Sequence, residues 1–274
     1  MTHVEPLKLS LYQIDAFTRR QFGGNPAAVC PLDCWLPDAT MQAIAAENNL
    51  SETAFFVRDA HGVRIRWFTP LSEVKLCGHA TLASAWVWFH YIEPHADKVI
   101  FDSLSGPLTV TRSGEMLTLD FPAMAAQAMQ LPSPLIEALG VTPLECHVVG
   151  EDWMAVVDSA TMVRELLPQI AVIRQLDCRA LIVTAPGDDC DFVSRFFAPK
   201  VGIDEDPVTG SAHTKLVPYW ANRLGKNQLH ARQLSPRGGE LICELHGERV
   251  LMSGTAVPYM SGTITLPGNL SWSE

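Results

Sequence analysis

The sequence predicts an α/β protein made of two similar halves, each with short strands gathered around one apolar helix. Three observations carry this. The first is an internal echo: residues 66–88 read RWFTPLSEVKLCGHATLASAWVW and residues 195–220 read RFFAPKVGIDEDPVTGSAHTKLVPYW. Gly78 meets Gly210, Ala80 meets Ala212 and Trp88 meets Trp220 at a constant offset of 132. Gly114-Glu115 then meets Gly247-Glu248 at 133, and the loop before the second glycine is three residues longer than the first. A single repeat of this length is not a solenoid, whose period is about 20–50 residues. The second observation is the dominance of short β-rich runs bounded by Gly, Pro or Asp. The third is composition: 47% apolar and 18% charged residues across 274 positions supply a substantial core and exclude a largely disordered chain.

In the first half, strands are expected over 9–17, 54–58, 64–68, 98–101, 108–112 and 116–121. Helices are expected over 38–48 and 78–91, the latter apolar on nearly all sides, as a helix enclosed by sheet would be. Gly23-Gly24-Asn25-Pro26 is a tight turn delivering a further strand, its glycine pair serving backbone geometry. Cys30 and Cys34 form one loose pair with nothing to complete a zinc site, and both read as structural. Residues 121–129 form an extended crossover. That places the halves at 1–120 and 121–274, with the last strand free to return to the first half. In the second half, strands are expected over 155–158, 180–184, 191–197, 240–245 and 249–253. Helices are expected over 134–139, 161–175 and 210–224, the last bent by Pro218.

Thirty acidic against 20 basic residues give a formal charge of −10. With no long Lys/Arg cluster, this argues against nucleic acid or an anionic membrane as partner. No apolar run is long enough for a membrane-spanning helix, and the N-terminal stretch lacks the pattern of a signal peptide. Seven scattered cysteines fit reduced thiols, and with them a cytoplasmic setting. The chain has no GxG pair, no GxxxxGK[ST] loop, no HExxH and no GxSxG. No cofactor and no metal are therefore expected.

Two loop-to-helix junctions remain, and they are the repeat-related ones: Leu76-Cys77-Gly78-His79-Ala80-Thr81 and Asp206-Pro207-Val208-Thr209-Gly210-Ser211. A helix N-terminus offers free N–H groups and the positive end of its dipole, which suits a carboxylate. The alternative is plain: Thr209 and Ser211 cap a helix and His79 is a core histidine. A third element is Asn49-Leu50-Ser51-Glu52-Thr53-Ala54-Phe55-Phe56. A Glu52 held against Phe55 and Phe56 would have its proton affinity raised and could take and give a proton near neutrality. A solvated glutamate at a strand edge is the alternative.

These segments, with Asp15-Ala-Phe-Thr, Gly24-Asn-Pro-Ala-Ala-Val, SRFFAP at 194–199 and SPRGGEL at 235–241, resemble the phenazine-biosynthesis PhzF-like isomerase family. They look most like its phenazine-biosynthesis-like domain protein group. The resemblance runs through nearly the whole chain in order. It implies a diaminopimelate epimerase-like fold: two pseudo-symmetric halves, each a curved, mostly antiparallel sheet around a central helix, with the site in the cleft between them. It also implies a cofactor-independent isomerase of a small acidic or amino-acid-like substrate, with homodimerisation plausible. Under it Glu52 is the proton shuttle, and His79 and Asp206 are the other catalytic residues. Ser51, Gly78, Thr209, Gly210 and Ser211 bind substrate. A binding or scaffold protein that keeps the pocket is the non-enzymatic alternative. Two-cysteine racemases share the fold, but Thr209 stands where their second thiol would be and cannot supply the second base. Cys77 then reads as a small buried residue. Lys75 departs from the family pattern, either altering substrate choice or pointing to water.

Overall fold

The computed structural model describes residues 5–268. They fall into two compact units: unit 1 holds residues 5–21, 26–119 and 255–268, and unit 2 holds residues 22–25 and 120–254.

Unit 1 begins with β1 (Leu7–Ala16), β2 (Asn25–Leu32), α1 (Asp38–Asn48), β3 (Glu52–Asp59), β4 (Gly62–Phe68) and β5 (Glu73–Val74). It continues with α2 (Gly78–Val87), a π-helical turn at Trp88–Ile92, β6 (Lys98–Ser103), β7 (Gly106–Ser113) and β8 (Met116–Pro122). Strand β2 pairs parallel with β3, β3 antiparallel with β4, β4 parallel with β6, and β6 antiparallel with β7. Alternation along β3 sends residues 53, 55 and 57 to one face and 52, 54 and 56 to the other. Phe55, Val57 and Phe68 pack with Ala28, Cys30 and Met41 under α1. Phe56 lies edge-on to Trp88 and near Phe101. All ten residues of α2 are buried, so it is enclosed as its apolar sequence requires.

Unit 2 follows with β9 (Gln127–Met129), α3 (Ser133–Leu139), β10 (Glu145–Val149), β11 (Asp152–Val156), α4 (Ala160–Glu165) and α5 (Ile170–Ile173). Then come β12 (Ala180–Pro186), β13 (Phe192–Ala198), β14 (Ile203–Asp206), α6 (Gly210–Leu224), β15 (Gln228–Gln233), β16 (Gly239–His246) and β17 (Arg249–Gly254). The final strand, β18 (Ala256–Leu266), belongs to unit 1 and pairs antiparallel with β1. Strand β11 pairs parallel with β12, β12 antiparallel with β13, β13 parallel with β15, and β15 antiparallel with β16.

The duplication seen in the sequence is therefore a duplication of topology: both units run parallel, antiparallel, parallel, antiparallel through the equivalent strands. It extends to side chains. Arg66 on β4 forms a two-pronged ion pair with Glu73 at 2.7 Å, closing the loop that leads to α2. Arg195 on β13 does the same with Glu205 at 2.7 and 2.9 Å before α6. A guanidinium fork matched to a carboxylate fixes direction as well as distance, so each pair sets the angle at which the chain enters its helix.

The helix expected over 161–175 is instead two short ones, α4 and α5. Pro168 falls between them; its missing N–H and ring interrupt the helix. The stretch expected over 78–91 is α-helical only to Val87 and continues as the π turn. By contrast α6 runs unbroken through Pro218. The proline frees the carbonyl four residues earlier, that of Thr214, and this oxygen accepts from the Met124 backbone N–H at 2.9 Å. The crossover segment thus occupies the acceptor that the proline leaves open. Among the described residues no helix is long and apolar enough to cross a membrane.

Candidate active site

In unit 1 the geometry starts at the end of α1. Asn49 adopts a left-handed conformation (φ 50°) and its N–H closes on the Ala45 carbonyl, ending the helix. Asn48 Nδ2 donates to Thr53 Oγ1 at 3.0 Å, which ties the helix end to the incoming strand. The short turn through half-buried Ser51 then delivers Glu52 as the first residue of β3. Its side chain is only 11% exposed, which excludes the solvated strand-edge reading. The expectation that both phenylalanines lie beside it needs correction: strand alternation places Phe56 on its face and Phe55 on the opposite, α1-facing side.

Across from Glu52 is the start of α2. Glu52 Oε2 lies 3.3 Å from His79 Nε2, and His79 Nδ1 lies 3.5 Å from Cys77 Sγ. Burial lowers the His79 pKa to about 3, so the ring is neutral at neutral pH and the contact with Glu52 is not an ion pair. Cys77 occupies the N-cap position without a side-chain capping bond, while its carbonyl accepts from Thr81 Oγ1. Gly78 follows as the first, buried helical residue. Lys75 is exposed, so its ammonium points to water.

Unit 2 repeats the junction with different chemistry. Asp206 ends β14 and is buried. Thr209 Oγ1 donates to its Oδ2 at 2.5 Å and Asn25 Nδ2 donates to its Oδ1 at 2.8 Å. Burial raises its pKa to about 6, against the lowering effect of those two hydrogen bonds. Thr209 is the N-cap of α6, but its hydroxyl does not cap the helix; it serves Asp206 instead. Gly210 and half-buried Ser211 open the helix.

Two residues that the sequence alone did not single out as site residues hold this junction. Gln233, fully buried at the end of β15, accepts from the Thr209 N–H at 2.9 Å and donates to the Asp206 carbonyl at 2.7 Å. Asn25 donates to the Val208 carbonyl as well as to Asp206. Asn25 is itself held through its neighbours: Arg237 donates to the carbonyls of Gly23 and Gly24 at 2.9 and 2.8 Å. Gly239 has no room for a side chain, since a Cβ there would stand 2.2 Å from Val208 Cγ2. The GNP turn and the SPRGG segment are thus built around one buried carboxylate. The structure brings together Glu52, His79 and Cys77 in unit 1, and Asp206, Thr209 and the start of α6 in unit 2.

A sequence profile of the phenazine biosynthesis-like protein family matches residues 14–262. The chain belongs to this family. An uncharacterized isomerase of Pseudomonas aeruginosa is 51% identical over 260 residues, covering 95% of this chain and all of that one. The human phenazine biosynthesis-like domain-containing protein is 41% identical, covering 94% of this chain and all of its own. Among solved structures, the Enterococcus faecalis phenazine biosynthesis protein of the PhzF family superposes with a TM-score of 0.91 at 46% identity. That match covers 94% of this chain and 99% of the other. The likeness in fold alone reaches a hydroxyproline epimerase from Agrobacterium vitis, with a TM-score of 0.63 at 10% identity over 95% of this chain and 93% of that one. This phenazine biosynthesis-like protein therefore has the epimerase-like fold and sits in an isomerase family.

Proposed function

We propose that the protein is a cofactor-independent isomerase of a small carboxylate or amino-acid-like molecule, working by a proton shuttle through Glu52. The observation that carries this is the burial of Glu52 beside a neutral His79 at the N-terminus of α2. A carboxyl group withdrawn from water can take a proton from carbon and return it nearby, and a neutral imidazole can orient it without locking it as an anion. Asp206, with its pKa near 6, is the second proton-handling group of this reading. The starts of α2 at Gly78 and of α6 at Gly210–Ser211 supply N–H donors for carboxylate oxygens. A two-thiol racemase is disfavoured because Thr209 stands at the second thiol position and its hydroxyl is committed to Asp206.

The test is solvent deuterium uptake into a panel of unsaturated and cyclic amino acids, comparing wild type with Glu52→Gln by mass spectrometry. Uptake into at least one compound is expected for wild type and none for the variant, whose fold and ligand affinity persist. A Glu52→Gln protein that still exchanges would refute the shuttle.

A further inference from the structure

Glu52, Cys77 and His79 offer one carboxylate oxygen, one thiol sulfur and one imidazole nitrogen, no two of which are more than 4.8 Å apart, and all three residues are buried. From this geometry we infer that the start of α2 is a binding site for a zinc-class divalent cation, which there blocks the Glu52 carboxylate.

The donor set is the first argument. Oxygen, nitrogen and sulfur together suit a borderline-soft ion such as Zn²⁺ and suit Mg²⁺ or Ca²⁺ poorly, since those ions demand all-oxygen shells. Spacing is the second. With Zn–S of about 2.3 Å and Zn–N of about 2.0 Å, adjacent ligands of a tetrahedral ion stand about 3.6 Å apart. The Cys77 Sγ to His79 Nδ1 separation is 3.5 Å, already at that value. Glu52 Oε2 stands 3.3 Å from the other ring nitrogen, so an ion on Nδ1 gains the carboxylate as its third ligand through a rotation of the Glu52 side chain. Backbone order is the third. Cys77 and His79 are fixed by the first turn of an enclosed helix, and the Glu52 backbone by the first pair of the β2–β3 ladder, so only the Glu52 side chain has to adjust when an ion arrives. Three protein ligands leave a fourth position to water, as in open zinc sites.

The unit 2 junction sharpens the contrast. Thr209 stands at the position equivalent to Cys77 and is bonded to Asp206, so the second junction offers no sulfur donor. Among the described residues this donor set occurs at the first junction alone.

The binding part of this inference is independent of the shuttle reading; the blocking part rests on it. The experiment is Co²⁺ titration of the chelator-treated full-length protein, read by the near-ultraviolet thiolate-to-cobalt band, followed by displacement with Zn²⁺. One equivalent of Co²⁺ is expected to give the band in wild type. Cys34→Ala, which removes the exposed cysteine, is expected to keep it, and Cys77→Ala is expected to lose it while its circular dichroism stays that of wild type. Glu52→Gln is expected to keep the band at weaker affinity. No stoichiometric band, or a band that survives Cys77→Ala, overturns the site and leaves the shuttle untouched. A band present in an enzyme whose deuterium uptake is unaffected by Zn²⁺ overturns the blocking role. A band together with uptake that persists in Glu52→Gln instead overturns the shuttle.

Discussion

Thr209→Val separates the two roles a helix-opening threonine could have. Its hydroxyl does not cap α6 but supports the Asp206 carboxylate, so valine removes a hydrogen bond to a buried charge while keeping shape. In the wild type, burial moves the Asp206 pKa from 3.8 to about 6. Between those values the folded chain holds a proton that the unfolded chain has released, so stability is complete below pH 4 and declines as pH rises through 6. That decline amounts to about 3 kcal/mol. A hydrogen bond to a charged acceptor is worth about 1.5–3 kcal/mol, which corresponds to a further rise of about 1–2 pH units when it is lost. The valine variant should therefore keep losing stability beyond pH 7, by about 1.5–3 kcal/mol more than wild type at pH 8. Urea denaturation followed by tryptophan fluorescence from pH 4.5 to 8 measures this. Asp206→Asn, which removes the titrating group, should flatten the contribution. Parallel wild-type and Thr209→Val profiles would refute the assignment of the hydroxyl to the carboxylate.

Three further outcomes follow from the same structure. Arg195→Met leaves half-buried Glu205 without its fork and the carbonyls of Val163 and Leu166 without their donor, so it should cost about 3 kcal/mol in denaturant stability. His79 should show flat imidazole resonances from pH 8 down to 5 by NMR, because its folded pKa is depressed to about 3. The associated stability is present above pH 6.5 and lost as pH falls, and a titration near pH 6.5 would contradict the burial argument. Asp152→Ala strands the buried Lys215 ammonium and removes the acceptor of Arg179, so a loss of about 3–5 kcal/mol is expected. A change under 1 kcal/mol would mean that water reaches Lys215.

The sequence made the duplicated frame legible because repetition writes the same residues twice: the Arg-aromatic-Phe strands, the glycine that opens each helix and the closing tryptophans all fall where the echo puts them. No strand was expected at β5, β9, β10, β14 or β15, and the last strand, β18, was expected to return to the first half without stated bounds. Each is short or carries polar residues on an exposed or half-exposed face, and takes its extended form from the neighbours it pairs with. The single helix expected over 161–175 failed on one proline whose local signal outweighs the surrounding apolar periodicity. The buried positions of Glu52, His79 and Asp206 beside the two helix starts were legible through motif and position. Asn25 and Gln233 were not legible as site residues, because their meaning lies in hydrogen bonds to residues 181 and 24 positions away. No period or spacing in the chain records such a bond; only the closed ladder of strands reveals it.

Strand β18 pairs with β1 along its whole length, from Leu7 against Leu266 to Ala16 against Ala256. During synthesis this imposes a schedule. Strand β1 is translated before its partner β18, and residues 120–254 emerge in between, free to condense around α6 while β1 waits. Unit 1 is thus begun first and completed last, and a chain truncated before residue 256 would present β1 with an open edge. The pairing of β1 with β18 makes closure of unit 1 depend on translation having passed residue 266.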